Sequence, residues 1–178
     1  WTAVELRDKV KPDAIEAVEV ATHGVAYRMM GDDPTRWAPK TVETADHSLP
    51  YVVGTALLRG TVDGSAFTPK ALQDPEIAQM MKRISVVEDD ALSAAHPVED
   101  PCRITVRLTD GSEVVHSLPY PKGHERSPMT ATEVQDKFRG LYTKMGSAAS
   151  ADAVIAAVDG LDAMQDVGEL ISAFNARG

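Results

Sequence analysis

Apolar residues follow two different periods in the first thirty positions of the chain. Residues 1–10 carry apolar side chains at the spacing of one helical face, and the Lys-Pro-Asp sequence at 11–13 is expected to end that helix. Residues 15–27 then alternate, with Val18 and Val20 between polar neighbours, which is typical of a half-buried strand. The pattern therefore predicts a helix followed by a strand.

The stretch LPYVVGTALLRG predicts a second, more deeply buried helix. Pro50 suits a first helical turn, where its missing N–H costs no hydrogen bond. Residues 51–58 are nearly all apolar, so this helix is expected to be buried on most sides, and Gly60 is a suitable residue to end it. The preceding residues 29–46 contain two prolines and several turn formers, which predicts a long loop.

The middle of the chain predicts one more helix and three more strands. Residues 68–84 indicate a short turn and then a helix with a proline at its start, and residues 85–90 indicate a strand followed by a loop through Asp100. Two alternating runs then flank Asp110-Gly111, a pair that favours a type I′ hairpin turn.

From Thr130 onwards the pattern is helical only. Thr130 and Glu133 have the spacing of a capping box, two further helices follow, and residues 146–149 are the predicted linker. The predicted fold class is α+β: a small domain with antiparallel strands and helices over residues 1–128, then C-terminal helices over residues 129–178 that need another body to pack on.

Composition narrows the class of protein. The 178 residues suffice for about one domain, and the formal net charge of −9 argues against nucleic acid as a partner because binding phosphates requires clustered cations. The single cysteine, Cys102, excludes an internal disulfide and is insufficient for an iron–sulfur cluster. Without an apolar run of membrane-spanning length or a signal-peptide pattern, a cytoplasmic protein with no membrane partner is expected.

The helical pattern at Trp1 has no start signal, so we expect this chain to be part of a longer protein.

A titratable cluster precedes the apolar helix. Asp46 or Ser48 can simply cap that helix and leave His47 exposed. Alternatively, the positively polarised N-terminus attracts carboxylates, stabilises the phenolate of Tyr51 so that its hydroxyl acts as a proton donor, and adjoins a histidine that exchanges protons near neutral pH. The residues themselves leave both interpretations open.

A second cluster lies in the loop at residues 120–128. Lys122, His124 and Arg126 fall within five positions between proline and glycine residues, and such groups can bind carboxylates. The alternative is a solvated, mobile connection.

The remaining histidines suggest no metal centre. His23 and His116 fall in strand-like runs and are expected at the surface or the edge of the core, whereas His96 lies in an acidic loop and is expected to be solvated. Because the common zinc-binding spacings, the dinucleotide and P-loop glycine motifs and the serine hydrolase elbow are all missing, we expect neither a metal nor a cofactor.

Four separated stretches together resemble one family. ETADHSLPYVVGTALLRGTV, FTPKALQDPEIAQMMKRISVVEDD, ITVRLTDGSEV and YPKGHERSPMTATEVQDKF occur in the order and at the spacing seen in the MmgE/PrpD family. The resemblance implies an α+β lid, followed by helices that return to a helical domain mostly outside this chain, and a homodimer with its active site in the cleft between lid and helical domain.

The resemblance also implies roles for particular residues. Tyr51 matches the lid tyrosine that faces the substrate, Asp46 and His47 match the Asp-His of the dehydratase branch, and His124 matches a loop histidine. Tyr51 and His47 are therefore the predicted acid–base groups, with Asp46 and His124 as substrate-binding residues. Lys122 and Arg126 are added from their charge alone.

The family includes 2-methylcitrate dehydratase, cis-aconitate decarboxylase and iminodisuccinate epimerase. Their shared chemistry is cofactor-free proton transfer beside a carboxylate. The expected function is a 2-methylcitrate dehydratase-like lyase of propionate catabolism, acting on a small di- or tricarboxylate. Decarboxylation, epimerisation and a non-catalytic binding or assembly module remain alternatives, and the chain alone is expected to be inactive.

Overall fold

A computed structural model describes residues 1–175, which divide into a compact unit over residues 1–122 and a second unit beginning at Gly123. The helices are α1 Thr2–Arg7, α2 Gly24–Met30, α3 Val42–Asp46, α4 Leu49–Arg59, α5 Pro69–Leu72, α6 Pro75–Met81, α7 Asp90–Ala95, α8 Ala131–Tyr142, α9 Ala148–Asp159 and α10 Gly168–Asn175. The strands are β1 Ile15–Thr22, β2 Ile84–Glu88, β3 Cys102–Leu108 and β4 Glu113–Leu118. The predicted α+β class is confirmed, and the division at residues 128/129 stays a prediction.

The four strands form one mixed sheet in the order β2-β1-β3-β4. β1 lies antiparallel to β3, with Val18 opposite Val106, but it lies parallel to β2, with Val18 also opposite Ile84. The predicted antiparallel pairing is present in β1–β3 and β3–β4, and the β1–β2 pair adds a parallel pairing that the sequence did not indicate. The chain between β1 and β2 contains five helices, and such a long crossover lets the second strand run in the same direction as the first.

Alternating residues of the central strands β1 and β3 point to one face of the sheet and pack against helices there. Val18 and Val20 of β1 and Val106 of β3 are at most 1% exposed, and they pack with Leu6 of α1 and Leu57 of α4. Burying each of these side chains stabilises the fold by about 1.5–3 kcal/mol before the cost of ordering the chain. The predicted strand at β1 and the predicted helices α1 and α4 are confirmed.

Helix α4 has the predicted ends. Ser48 caps its N-terminus, Pro50 lies in its first turn, and Gly60 ends it in the left-handed region with φ of 76°. Seven of its eleven residues are buried, as the continuous apolar run predicted.

Short helices replace two predicted loops and the end of the predicted first strand. β1 ends at Thr22, and His23 caps α2 by accepting a hydrogen bond from the N–H of Ala26. Residues 29–46, predicted as a loop, contain the end of α2, a 3₁₀ turn and α3, and α7 occupies part of the predicted loop before Asp100. These helices have four to seven residues, too few for a sustained apolar period, so side-chain caps define them.

The β3–β4 hairpin forms at the predicted place with a different turn. Gly111 has φ of 84°, whereas Asp110 does not have a positive φ. The N–H of Gly111 donates to the carbonyl of Leu108 and the N–H of Leu108 donates to Ser112, which defines a three-residue loop with a left-handed glycine. The type I′ prediction is wrong because it needs two positive φ values, and the β-carbon of aspartate disfavours one of them.

The second unit is a small helical cluster. Thr130 and Glu133 form the predicted capping box of α8, and Tyr142 packs with Ala151 and Val154 of α9. The predicted linker at 146–149 is wrong, since Ser147 caps α9 and the helix begins immediately after it. Among the described residues, no helix has the length and apolar character needed to cross a bilayer.

Gly111→Ala is predicted to lower the free energy of unfolding by about 1–2 kcal/mol, because an added β-carbon disfavours the left-handed region. Urea denaturation measures the difference. Gly64→Ala is the matched control: its φ is not left-handed, and its β-carbon would meet no atom of the described residues within 4 Å. The control is expected to stay within about 0.5 kcal/mol of the parent, and equal losses in the two variants would contradict the turn assignment.

Candidate functional site

Helices α3 and α4 meet at a two-residue corner. His47 ends α3, and the next residue, Ser48, caps α4 and is fully buried. The Ser48 hydroxyl accepts a hydrogen bond of 3.1 Å from the N–H of Tyr51 and donates to the backbone carbonyl of Arg36. The corner is thus fixed from inside by Ser48, while Asp46 and His47 lie on its outer surface.

Asp46 and His47 form a contact at this corner. The His47 Nδ1 lies 2.5 Å from the Asp46 carboxylate and 3.1 Å from the backbone carbonyl of Glu43. Both partners are acceptors, so Nδ1 carries a proton and donates it. Within the described residues no hydrogen bond to the His47 Nε2 occurs, which leaves that nitrogen able to exchange a proton with a solute.

The surroundings favour the charged form of His47. The hydrogen bond to Asp46 and then the one to the Glu43 carbonyl raise the pKa of His47 above its ordinary value, because both stabilise the imidazolium. The side chains of His47 and Asp46 are about half exposed, so solvent screens their attraction.

Sequence reasoning missed a cation at this corner. Arg36 lies close enough to His47 to lower its pKa by charge repulsion, which opposes part of the effect of Asp46. Its Nε–H is buried without a hydrogen-bond partner among the described residues. Arg36 falls in the 3₁₀ turn Pro34–Trp37, within the stretch predicted as a loop, so no periodic signal pointed to it.

Tyr51 points away from this surface. Its side chain packs with Phe67, Ile77 and Met81, it is 2% exposed, and its hydroxyl donates a hydrogen bond of 2.6 Å to the carbonyl of Ala66. Burial raises the pKa of Tyr51 because it disfavours the phenolate. The expected stabilisation of the phenolate is therefore wrong: Ser48 occupies the backbone N–H of Tyr51, and the side chain turns inward.

Several cavities border α4. One, of about 410 Å³, is lined by Trp37, Tyr51 and Met81 among others, so the Tyr51 ring borders a concave space although its hydroxyl is bonded to the backbone. Another, of about 740 Å³, is a largely apolar cleft lined by Trp1, Met29 and neighbouring residues, with neither Asp46 nor His47 in its wall. The acid–base role of Tyr51 stays a prediction that requires its hydroxyl to leave Ala66.

The second predicted cluster is an ordered turn. The His124 Nδ1 accepts a hydrogen bond of 3.1 Å from the N–H of Arg126, and Gly123 and Ser127 close the turn through their backbones. Lys122 ends the first unit whereas His124 and Arg126 belong to the second, and their action on the same substrate as His47 stays a prediction.

Comparison with known proteins relates most of the chain to one family. The model of the MmgE/PrpD C-terminal domain matches residues 2–163. The chain is 30% identical over 135 residues to 2-methylcitrate dehydratase of Escherichia coli K12, an alignment covering 70% of this chain and 26% of that protein. It is 30% identical over 119 residues to the 2-methylcitrate dehydratase of Cupriavidus necator, covering 63% and 24%. It is 24% identical over 135 residues to cis-aconitate decarboxylase of Mus musculus, covering 72% and 26%.

The match over residues 2–163 covers most of the chain and defines its class. The chain belongs to the MmgE/PrpD family and contains its C-terminal domain. It spans about a quarter of the length of these relatives, which are named as dehydratases and as decarboxylases.

Asp46→Asn is predicted to lower the pKa of His47, because the neutral amide no longer stabilises the imidazolium. NMR titration of the imidazole measures the change. Since the folded-state pKa is raised, pairing with Asp46 stabilises the fold below the ordinary imidazole pKa, and this contribution is lost as the pH rises through the raised value. Glu43→Gln, which keeps its backbone carbonyl, is the control and should leave the pKa raised; an unchanged pKa in Asp46→Asn would refute the pairing.

Tyr51→Phe is predicted to lower the free energy of unfolding by about 1–3 kcal/mol, because it leaves the carbonyl of Ala66 without its buried donor. Chemical denaturation measures the loss. Tyr27→Phe removes an exposed hydroxyl 3.3 Å from Asp32 and is expected to change stability by less than about 0.5 kcal/mol. Equal effects of the two substitutions would contradict a structural role for the Tyr51 hydroxyl.

Proposed function

We propose that this chain is the C-terminal part of a 2-methylcitrate dehydratase-like lyase. Its substrate is a small di- or tricarboxylate, and its reaction is cofactor-free removal of a proton beside a carboxylate with loss of a β-hydroxyl as water. The observation that carries the proposal is the half-exposed Asp46–His47 pair, in which Nδ1 is held between two acceptors and Nε2 has no hydrogen bond among the described residues.

In this proposal Asp46 and His47 have different roles. Asp46 orients the imidazole and holds the proton on Nδ1, so the neutral ring presents the lone pair of Nε2 as a base and the charged ring presents an Nε2–H as an acid. The raised pKa of His47 makes it a stronger base when neutral. Arg36 offsets the negative charge of a substrate carboxylate, and Lys122, His124 and Arg126 are proposed to do the same from the turn after the hairpin.

Dehydration is favoured over the other reactions by the Asp-His pair itself. The sequence resemblance assigns that pair to the dehydratase branch, and the dehydratase relatives reported above share 30% of aligned residues with this chain, against 24% for the decarboxylase. A decarboxylase or an epimerase of the same family is the second candidate. Its chemistry would differ mainly in groups outside this chain.

The complete active site is proposed to need a second domain. The remaining acid–base groups come from a helical domain outside the 178 residues, the complete enzyme is a homodimer, and it works in the cytoplasm in propionate catabolism. The chain alone is therefore expected to show negligible turnover. Measurable dehydration by the isolated chain would contradict this division of the active site.

In the full-length protein, His47→Gln is predicted to lower kcat by about 10²–10⁴, the range typical of losing one acid–base group, with little change in stability. Product analysis with 2-methylcitrate and with cis-aconitate defines the reaction: water loss without carbon dioxide supports dehydration, whereas carbon dioxide release identifies a decarboxylase. Glu43→Gln, on the same helix, should retain wild-type kinetics. Full activity in His47→Gln would remove this residue from the mechanism.

A further inference from the structure

A cluster of two histidines and a carboxylate lies in the first unit, outside the corner described above. His23, His96 and Asp100 each offer a ligand atom, and these atoms all lie within 4.8 Å of one another. His23 follows the end of β1 and caps α2, whereas His96 and Asp100 come from the segment between α7 and β3. His23 therefore lies beside two residues that follow it by 73 and 77 positions in the sequence.

His23 is held in place before any ligand arrives. It is 5% exposed, its Nε2 lies 2.9 Å from the Asp100 carboxylate, and its Nδ1 accepts a 3.4 Å contact from the N–H of Ala26. Asp100 is itself anchored, because its N–H donates to the carbonyl of Pro119. The carboxylate is 54% exposed, so solvent and ions reach the cluster from that side.

His96 supplies an observation that the fold does not explain. Its ring stacks on His23 with centroids 4.0 Å apart and planes 5° from parallel, yet its Nδ1 is buried and has no hydrogen-bond partner within residues 1–175. A buried nitrogen left unpaired costs free energy, and a bound ion or water is one explanation for such a group in a native protein.

We propose that His23, His96 and Asp100 form a binding site for a divalent transition-metal ion of the zinc type. Two imidazoles and one carboxylate are ligands that zinc accepts, whereas magnesium and calcium prefer oxygen ligands alone. The two neutral rings and one carboxylate leave a net charge of +1 with the ion bound. A water molecule on the exposed side of Asp100 completes four-coordination.

Metal binding requires two local changes. Lone pairs of imidazole lie in the ring plane, so the parallel rings must leave their stack, and His96 must turn to aim a nitrogen at the ion. The proton between His23 Nε2 and Asp100 must also move to Nδ1, which breaks the long contact with Ala26. The ion then ties the segment before β3 to the end of β1, and acid weakens binding because protons compete for the same nitrogens.

The test is a metal titration of purified protein stripped with chelator. Calorimetry with Zn²⁺ is expected to give one equivalent, and Co²⁺ is expected to give the intense visible bands of four-coordinate cobalt. Zn²⁺ at about 100 times its dissociation constant should raise the melting temperature by about 5 °C or more. His96→Ala and Asp100→Asn should each weaken binding by more than about 100-fold, since they remove a direct ligand.

The controls separate this site from other histidines and carboxylates. Glu99→Gln, the neighbour of Asp100, and His47→Ala, which removes the histidine–carboxylate pair at the corner of α3 and α4, should both keep wild-type affinity. His96→Ala does not touch the α2 cap, so its fold is expected to persist and circular dichroism checks it. Wild-type affinity in His96→Ala, loss of binding in His47→Ala, or failure to bind one equivalent would each overturn the proposal.

Discussion

The hydroxyl of Ser48 is the constraint on which the candidate site depends. One small side chain caps α4 through the N–H of Tyr51 and also binds the carbonyl of Arg36. It therefore joins the start of the buried helix to the 3₁₀ turn that precedes α3. Because Ser48 is fully buried, its two bonds are shielded from water, and losing either would leave a backbone group unpaired inside the protein.

This constraint decides which neighbours face solvent. With Ser48 held inside, the residue before it, His47, ends α3 on the surface, whereas Tyr51, one turn into α4, points towards Phe67 and Ile77. The Asp46 carboxylate then meets the imidazole without a long-range contact, since the two residues are adjacent in sequence. The chemistry of the corner is thus local, and its orientation depends on the packing of α4 against the sheet.

The sequence predicted what repeated periods or caps encode. The alternation in β1, the apolar run of α4 with Gly60, and the Thr130–Glu133 capping box all have the structure that their patterns indicate. The short helices α2, α3 and α7 escaped prediction because their few residues cannot display a period. The inward side chain of Tyr51 escaped for another reason: a helix with apolar residues on nearly every side carries no signal of which side is exposed. Arg36 was missed because nothing local links it to His47.

Among the described residues, the histidine–carboxylate pairs His47–Asp46 and His23–Asp100 differ in how far the imidazole is buried. At the corner, both acceptors bind the same ring nitrogen of His47, so the other nitrogen and half of the side chain remain available to a solute. At the end of β1, both nitrogens of His23 are engaged, one by Asp100 and one by Ala26, and the ring is covered by His96. An exposed pair with one unengaged nitrogen suits rapid proton exchange. In the His23–Asp100 pair the imidazole is buried and both of its nitrogens are engaged, which suits fixation of two distant segments; the proposed metal ion would take the place of the shared proton.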